Sequence, residues 1–228
     1  MASEKVSRKE LLKEPDQFIT FSGRLIAFGR RHQRPLIYGA AAVLVVLVAF
    51  TAVRYFAARA ENRAFALLDT HTAQYRQRLA AEGPQAAMEA VSDDFESLIA
   101  DYGGRTGGRL ARVRYGDICY AAGRYDRAVE AYRAALADFE DEPFYRSLLL
   151  TGIGYAYQQQ GDAAGAVEYF GRVVETPDAP LRDESLFMLA QAQAARGDAD
   201  AARAAYRRLL DEHPQSTYAP LARERVRS

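Results

Sequence analysis

Cysteine and tryptophan are nearly or wholly missing from this chain of 228 residues, which has one cysteine and no tryptophan. A lone thiol, Cys119, excludes an internal disulfide and a metal cluster built on several cysteines. The histidines His32, His71 and His213 lie far apart in the sequence and lack the spacing of metal ligands. No Ser/His/Asp or Cys/His set has a recognisable catalytic spacing. We therefore expect no enzymatic activity, no metal and no cofactor.

An excess of charge of one sign is also missing, because 30 basic residues balance 30 acidic ones. The charge is unevenly placed: the first 34 residues hold eight basic and four acidic residues, and the rest hold 22 basic and 26 acidic residues. A nucleic-acid-binding domain usually carries a basic face. The mildly acidic remainder of the chain therefore predicts no nucleic-acid partner.

Glycine is concentrated in one stretch only, residues 103–108, which reads GGRTGG. The stretch lacks the G-x-x-x-x-G-K-[ST] arrangement whose backbone amides cradle a phosphate. Glycine is a poor helix former. We therefore predict a flexible joint here rather than a nucleotide site.

The chain does contain a residue pattern that occurs three times, with the same offsets of seven, five, four and three residues in every copy. From copy to copy the marker alanine moves by 38 and then 36 residues. Periods of this size are typical of stacked helical hairpins. The alternative, a generic alanine-rich bundle, does not account for three equal sets of offsets. The copies are Gly116, Gly123, Ala128, Tyr132, Ala135; Gly154, Gly161, Ala166, Phe170, Val173; and Ala190, Gly197, Ala202, Tyr206, Leu209.

Each position of the pattern has a structural reason. The second residue is always glycine, which adopts positive φ easily and so suits the turn between two helices. Asp162 and Asp198 follow this glycine and can cap the second helix. Small residues at the first and third positions let the paired helices approach closely, and the aromatic or bulky fourth position fills the space towards the next hairpin.

These features resemble the tetratricopeptide repeat, and the resemblance covers residues 109–216. Arg112, Leu150 and Leu186 stand where that family usually has tryptophan. The resemblance implies an all-α solenoid that binds protein partners in a groove lined by the first helix of each pair. Carried over position by position, it assigns to the groove Asp117, Tyr120, Thr151, Tyr155, Gln158, Phe187 and Gln191. We expect the groove to take hydrophobic or aromatic segments; alternatively, the three aromatic residues are packing between repeats.

Helical periodicity extends the array at both ends. Residues 85–102 have apolar residues at helical spacing and, with a helix before Gly83-Pro84, predict a degenerate first hairpin within a 58–108 stalk region. A short self-associating coiled coil is an alternative for residues 59–81. Residues 217–228 predict a helix that caps the last repeat, because an open solenoid end must be covered.

Before the repeats, 19 consecutive residues from Pro35 to Val53 carry no charge. A helix of this length, at ~1.5 Å per residue, crosses a hydrocarbon core of ~30 Å. With flanking interfacial aromatics, the sequence predicts a transmembrane helix over residues 35–57. A buried soluble helix and a signal peptide cleaved near Ala58-Arg59-Ala60 are the alternatives; the long segment before the span favours an uncleaved anchor.

The basic residues before the span, including the Arg30-Arg31 pair and Arg34, favour a cytoplasmic N-terminus for residues 1–34 and place the repeats across the membrane. Within this segment, Phe18, Phe21, Leu25 and Phe28 fall on one helical face. Residues 15–31 therefore predict a helix lying on the membrane surface. A cytosolic docking helix is the alternative.

The order of parts is a short basic segment, a single span and a small repeat array. This layout resembles the ancillary subunit of the bacterial Sec translocon, without a diagnostic motif. The resemblance implies an inner-membrane protein with periplasmic repeats, linked to chaperones of exported chains. A cell-division or envelope-biogenesis coordinator and a structural subunit of a larger membrane complex are the alternatives.

Overall fold

The computed structural model describes residues 23–24, 26–28 and 30–227, and within these residues it contains helices and no strand. The helices are α1 (Gln33–Glu82), α2 (Pro84–Tyr102), α3 (Thr106–Ala121), α4 (Tyr125–Asp138), α5 (Pro143–Gln160), α6 (Ala163–Val174), α7 (Arg182–Ala195), α8 (Ala199–Glu212) and α9 (Ala219–Arg227). The predicted all-α class is confirmed. Most of the predicted 15–31 surface helix, including Phe18, Phe21 and Leu25, lies outside the described residues.

The chain divides into two compact units, one up to Ala58 and one from Arg59 onwards. The first unit contains the apolar part of α1, which is long and apolar enough to cross a membrane and has none of that stretch buried. This helix is a candidate span. No helix end separates residues 35–57 from the following stalk, because α1 runs without a break to Glu82.

The second unit begins with a pair formed by the later part of α1 and by α2. The ring centroids of His71 and Phe95 are 6.0 Å apart, and His71 Nδ1 lies 3.5 Å from Asp94 Oδ2. Thr72 and Tyr75 on the same side of α1 are buried. This face is covered only in part, since Phe65 is 42 % and Leu79 is 39 % exposed. The self-associating coiled coil along residues 59–81 therefore stays an alternative.

The glycine-rich stretch is packed, which corrects the prediction of a flexible joint. Helix α3 begins at Thr106, so Gly107 and Gly108 belong to its first turn, where both are buried. A Cβ on Gly107 would lie 2.8 Å from the backbone of Ala64 on α1. The Glu61 carboxylate accepts hydrogen bonds from the amides of Thr106 at 3.3 Å and Gly107 at 3.1 Å. Glycine is therefore needed for close helix contact here, and Glu61 supplies the missing cap.

From α3 to α9 each helix packs against the next one in the chain. The turn glycines adopt positive φ, with values of 71° at Gly123, 77° at Gly161 and 85° at Gly197, as predicted. The Asp162 carboxylate accepts from the Gly165 amide at 2.9 Å, and the Asp198 carboxylate accepts from the Ala201 amide at 3.0 Å. These contacts confirm the predicted caps of α6 and α8.

The fourth position of the pattern packs within its own hairpin as well as towards the next one. A Cβ on Gly116 would lie 2.5 Å from the Tyr132 ring, and one on Gly154 would lie 2.7 Å from the Phe170 ring. Tyr132 also faces the next hairpin, where a Cβ on Gly152 would lie 3.2 Å from its ring. The small first position therefore makes room for a ring and not only for a neighbouring backbone.

Candidate partner-binding groove

The seven residues assigned to the groove lie on the first helices of the three pairs, α3, α5 and α7. Their exposure differs widely. Asp117 is exposed, Tyr120, Tyr155, Gln158 and Gln191 are half-buried, and Thr151 and Phe187 are buried.

Phe187 and Thr151 are core residues, so their assignment to an open groove is corrected. The Phe187 ring is 5 % exposed and lies between two others, with centroids 5.0 Å from Tyr218 and 5.6 Å from Tyr206. Thr151 is 3 % exposed, and its Oγ1 lies 3.3 Å from Ser185 Oγ. The alternative reading of packing between repeats is therefore correct for Phe187.

Tyr155 lies at the centre of α5 with its ring edge-on to Phe170, at a centroid distance of 5.4 Å. Its hydroxyl donates a short hydrogen bond to Glu184 Oε1 in the first turn of α7. Burial, followed by this bond to a carboxylate, raises the pKa of Tyr155, and Tyr218 and Tyr120 contribute in the same direction.

Asp117 holds the equivalent place on α3. The Tyr132 hydroxyl donates to Asp117 Oδ1 at 2.9 Å, and Arg114 Nη1 lies 3.8 Å from Asp117 Oδ2. Partial burial of the Asp117 carboxyl raises its pKa, whereas the Tyr132 hydrogen bond and the Arg114 charge act to lower the pKa. Asp117 on α3 and Glu184 on α7 therefore each accept a hydrogen bond from a tyrosine hydroxyl, that of Tyr132 on α4 and that of Tyr155 on α5.

Sequence reasoning missed two apolar side chains and one acid of this surface. Phe144 is 57 % exposed and Leu148 is 38 % exposed. With 100° of rotation per residue, Phe144, Leu148 and Tyr155 fall within about 40° of one another around α5. The spacing of these three residues, four and then seven positions, is the signal in the sequence that places them on one helical face. A leucine or phenylalanine at helical spacing is more simply interpreted as a core residue. An isolated glutamate such as Glu184 is more simply interpreted as a solvated charge.

The groove offers no redox, nucleophilic or metal chemistry in the part of the chain that the structure describes. No group of three or more His, Cys, Asp or Glu side chains there could hold a metal ion. Cys119 is fully buried, and burial raises the pKa of its thiol to about 11. A protonated, enclosed thiol is inert.

Comparison with protein families agrees with this geometry. Two tetratricopeptide repeat family models match the chain, one over residues 109–177 and the other over residues 151–217. The chain carries tetratricopeptide repeats. No curated protein matches it in sequence.

Solved structures with tetratricopeptide-like repeats share the fold. One is a crystal structure of nearly identical TPR-like repeats from Podosopora anserina. It has 18 % identity and a TM-score of 0.54, and the match covers 70 % of this chain and 83 % of that one. Another is BtubC (BKLC) from P. vanneervenii, with 13 % identity and a TM-score of 0.54, covering 73 % of this chain and 70 % of that one. At these identities the likeness establishes the fold alone.

The residues that stand at the family's tryptophan position have two different structural roles in these repeats. Leu150 and Leu186 are fully enclosed and serve as plain core residues. Arg112 instead pairs with Asp138 at the end of α4 and donates from Nη1 to the Gly103 carbonyl at 3.1 Å. One side chain therefore ties α3 both to the end of α2 and to the end of α4.

Proposed function

We propose that the protein is a single-pass membrane-anchored scaffold whose tetratricopeptide groove binds a segment of another protein. The observation that carries this proposal is the surface of α5, where Phe144 and Leu148 are exposed beside the half-buried Tyr155. Exposed apolar side chains in a repeat groove provide contact area for a partner.

The anchor is the apolar part of α1. Its side chains are exposed throughout, with Val45 at 67 %, Val46 at 66 % and Phe50 at 61 %. A helix with apolar side chains on every face needs an apolar surrounding, and a bilayer provides one. This supports an anchor over residues 35–57. The predicted 15–31 helix would add a contact with the membrane surface.

We propose a bacterial inner-membrane location with a cytoplasmic N-terminus and periplasmic repeats. The support is the excess of Lys and Arg before the span, which includes Arg30, Arg31 and Arg34. With this orientation, the layout favours a role beside the Sec translocon and periplasmic chaperones. The groove would then bind a translocon subunit, a chaperone or an exported chain.

Topology can be tested first. A reporter active only in the periplasm, fused after Ser228, should be active, and a cytoplasm-specific reporter at the same place should be silent. Cytoplasmic activity would refute the orientation and, with it, the role in export. Replacing Arg30, Arg31 and Arg34 with glutamine should reduce periplasmic activity, because these charges lie nearest the span.

The partner can be identified by co-purification of the full chain in a mild detergent, followed by mass spectrometry. Translocon or chaperone subunits should be enriched with the native chain and lost with Leu148→Ser. Enrichment of division or envelope-synthesis proteins, or of one stoichiometric complex, would replace the export role with one of the alternatives. Binding that is unaffected by Leu148→Ser would move the interaction away from the groove.

A further inference from the structure

The surface around α5 combines exposed apolar side chains with two acidic residues of the neighbouring first helices. Helix α5 has a single charged residue, Arg146, which lies about 160° around the helix from Phe144. The face that carries Phe144, Leu148 and Tyr155 is therefore uncharged. The neighbouring first helices carry two acids: Glu184 on α7, which accepts from the Tyr155 hydroxyl, and Asp117 on α3, which lies 3.8 Å from Arg114 of the same helix.

The two carboxylates use only part of their capacity to accept hydrogen bonds. Glu184 accepts from the Tyr155 hydroxyl, and no Lys or Arg of the described part of the chain forms an ion pair with it. Asp117 accepts from Tyr132, and its nearest cation, Arg114, is at 3.8 Å. The Arg114 guanidinium also lies over the Tyr75 ring, 5.6 Å from its centroid. Each acid can therefore accept further hydrogen bonds from a cation.

The surrounding aromatic rings favour the same kind of ligand. A tyrosine adjoins each acid: the Tyr155 hydroxyl donates to Glu184, and the Tyr132 hydroxyl donates to Asp117. A lysine or arginine can bind a tyrosine ring through its face and a carboxylate through its N–H groups. Positive charge on the partner would also speed its encounter with the acidic groove.

Two glutamines on first helices supply polar groups that suit an extended backbone. Gln158 and Gln191 are half-buried on α5 and α7. Each amide both donates and accepts, which matches the alternating C=O and N–H groups of an extended chain. In such a chain, every second side chain points to the same face.

We propose that the groove binds an extended segment of a partner protein in which basic and apolar residues alternate on one face. This rests on the proposed function as a scaffold. The apolar side chains pack on Phe144 and Leu148, and the basic side chains pair with Asp117 and Glu184 against the tyrosine rings.

The test uses a fluorescein-labelled peptide with the repeating sequence Leu-Ser-Lys-Ser and the full chain in an uncharged detergent, with binding measured by fluorescence anisotropy. A matched peptide has glutamate in place of lysine. The lysine peptide should bind about tenfold or more tightly than the glutamate peptide, and its affinity should fall as salt is added. Equal affinity for the two peptides, or no binding of the lysine peptide, would overturn the proposal.

Variants then locate the interaction. The double variant Asp117→Asn and Glu184→Gln keeps an acceptor for each tyrosine hydroxyl and should weaken binding of the lysine peptide by about tenfold. Asp211→Asn, on the exposed side of α8, removes a charge elsewhere and should leave the affinity unchanged. Circular dichroism melting of each variant checks that the fold is retained.

The outcomes separate this proposal from the scaffold function. If the double variant binds like Asp211→Asn while Leu148→Ser weakens binding, the groove binds partners without selecting charge, and the present proposal alone fails. If Leu148→Ser affects neither peptide binding nor co-purification, the groove is not the binding surface and both proposals fail.

Discussion

The ring of Tyr132 packs directly on the backbone of Gly116, leaving no room for a Cβ, which would lie 2.5 Å from the nearest ring carbon. The same relationship holds between Phe170 and Gly154 in the next hairpin, at 2.7 Å. The contact joins the two helices of one hairpin through a ring held against a bare backbone.

Gly116→Ala should therefore destabilise the protein by about 1–3 kcal/mol, because the ring or the helix must move to accommodate the methyl group. Gly171→Ala is a matched control: Gly171 lies in α6 with nothing within 4 Å of its Cβ position. There alanine should stabilise the helix by up to about 1 kcal/mol. Thermal unfolding followed by circular dichroism should shift in opposite directions. A shift of the same sign for both variants would contradict the packing described.

Substitutions at Phe187 and Tyr155 should lower the free energy of unfolding by very different amounts. Phe187→Ala removes a ring enclosed by Tyr206 and Tyr218 and should cost about 3–5 kcal/mol. Tyr155→Phe removes one hydroxyl and should cost about 0.5–1.5 kcal/mol. Comparing the two melting temperatures checks this order. If Phe187→Ala melts like the native chain, Phe187 is a groove residue after all.

Arg112 should contribute more to stability than a surface arginine. Its contacts with Asp138 and with the Gly103 carbonyl are partly buried, the two side chains being 21 % and 23 % exposed. Arg112→Ala should cost about 1–3 kcal/mol, since it leaves partly buried acceptors unpaired. Arg78→Ala removes an exposed pair with Glu82 and should cost less than about 0.5 kcal/mol. Similar melting temperatures for the two variants would refute the difference.

Stability should fall in alkaline solution through buried acids that keep their protons when folded. Burial raises the pKa of Cys119 from 9.0 to about 11 and that of Tyr115 from 10.0 to about 12. Above pH 9 the unfolded chain loses the thiol proton while the folded chain retains it, so rising pH favours unfolding. The slope for one group is at most about 1.4 kcal/mol per pH unit.

Cys119→Ala should therefore flatten the loss of stability between about pH 9 and about pH 11, while the tyrosine contribution, which begins at about pH 10, remains. Melting temperatures at several pH values measure this slope. A native chain and a variant that lose stability in parallel over this range would show that the thiol is not responsible.

The spacing of small residues predicted most of the fold, because it reports local geometry. The positive φ of Gly161 and the capping contact of Asp162 are set by neighbours in sequence. The prediction of a flexible joint over residues 103–108 is wrong. Low helix propensity favours a loop there, whereas close approach to Ala64 favours glycine inside a helix.

The groove was less predictable because exposure depends on what covers each helix. Phe187 and Thr151 hold the same position of the repeat, three residues before Ala190 and Gly154, and both are buried. Tyr155 holds a different position, one residue after Gly154, and is half-buried. The openness of Leu148 results from the absence of a neighbour over it among the described residues, which periodicity alone does not reveal.

The first of the three turns differs from the others in its cap. Helices α6 and α8 begin with an aspartate whose side chain accepts a backbone hydrogen bond, whereas α4 begins after Arg124, whose side chain makes no such bond. The opening amides of α4 therefore lack the side-chain acceptor that caps α6 and α8. Amide hydrogens at the start of this helix should exchange with deuterium sooner than their counterparts in α6 and α8, so the array loosens first at its earliest turn.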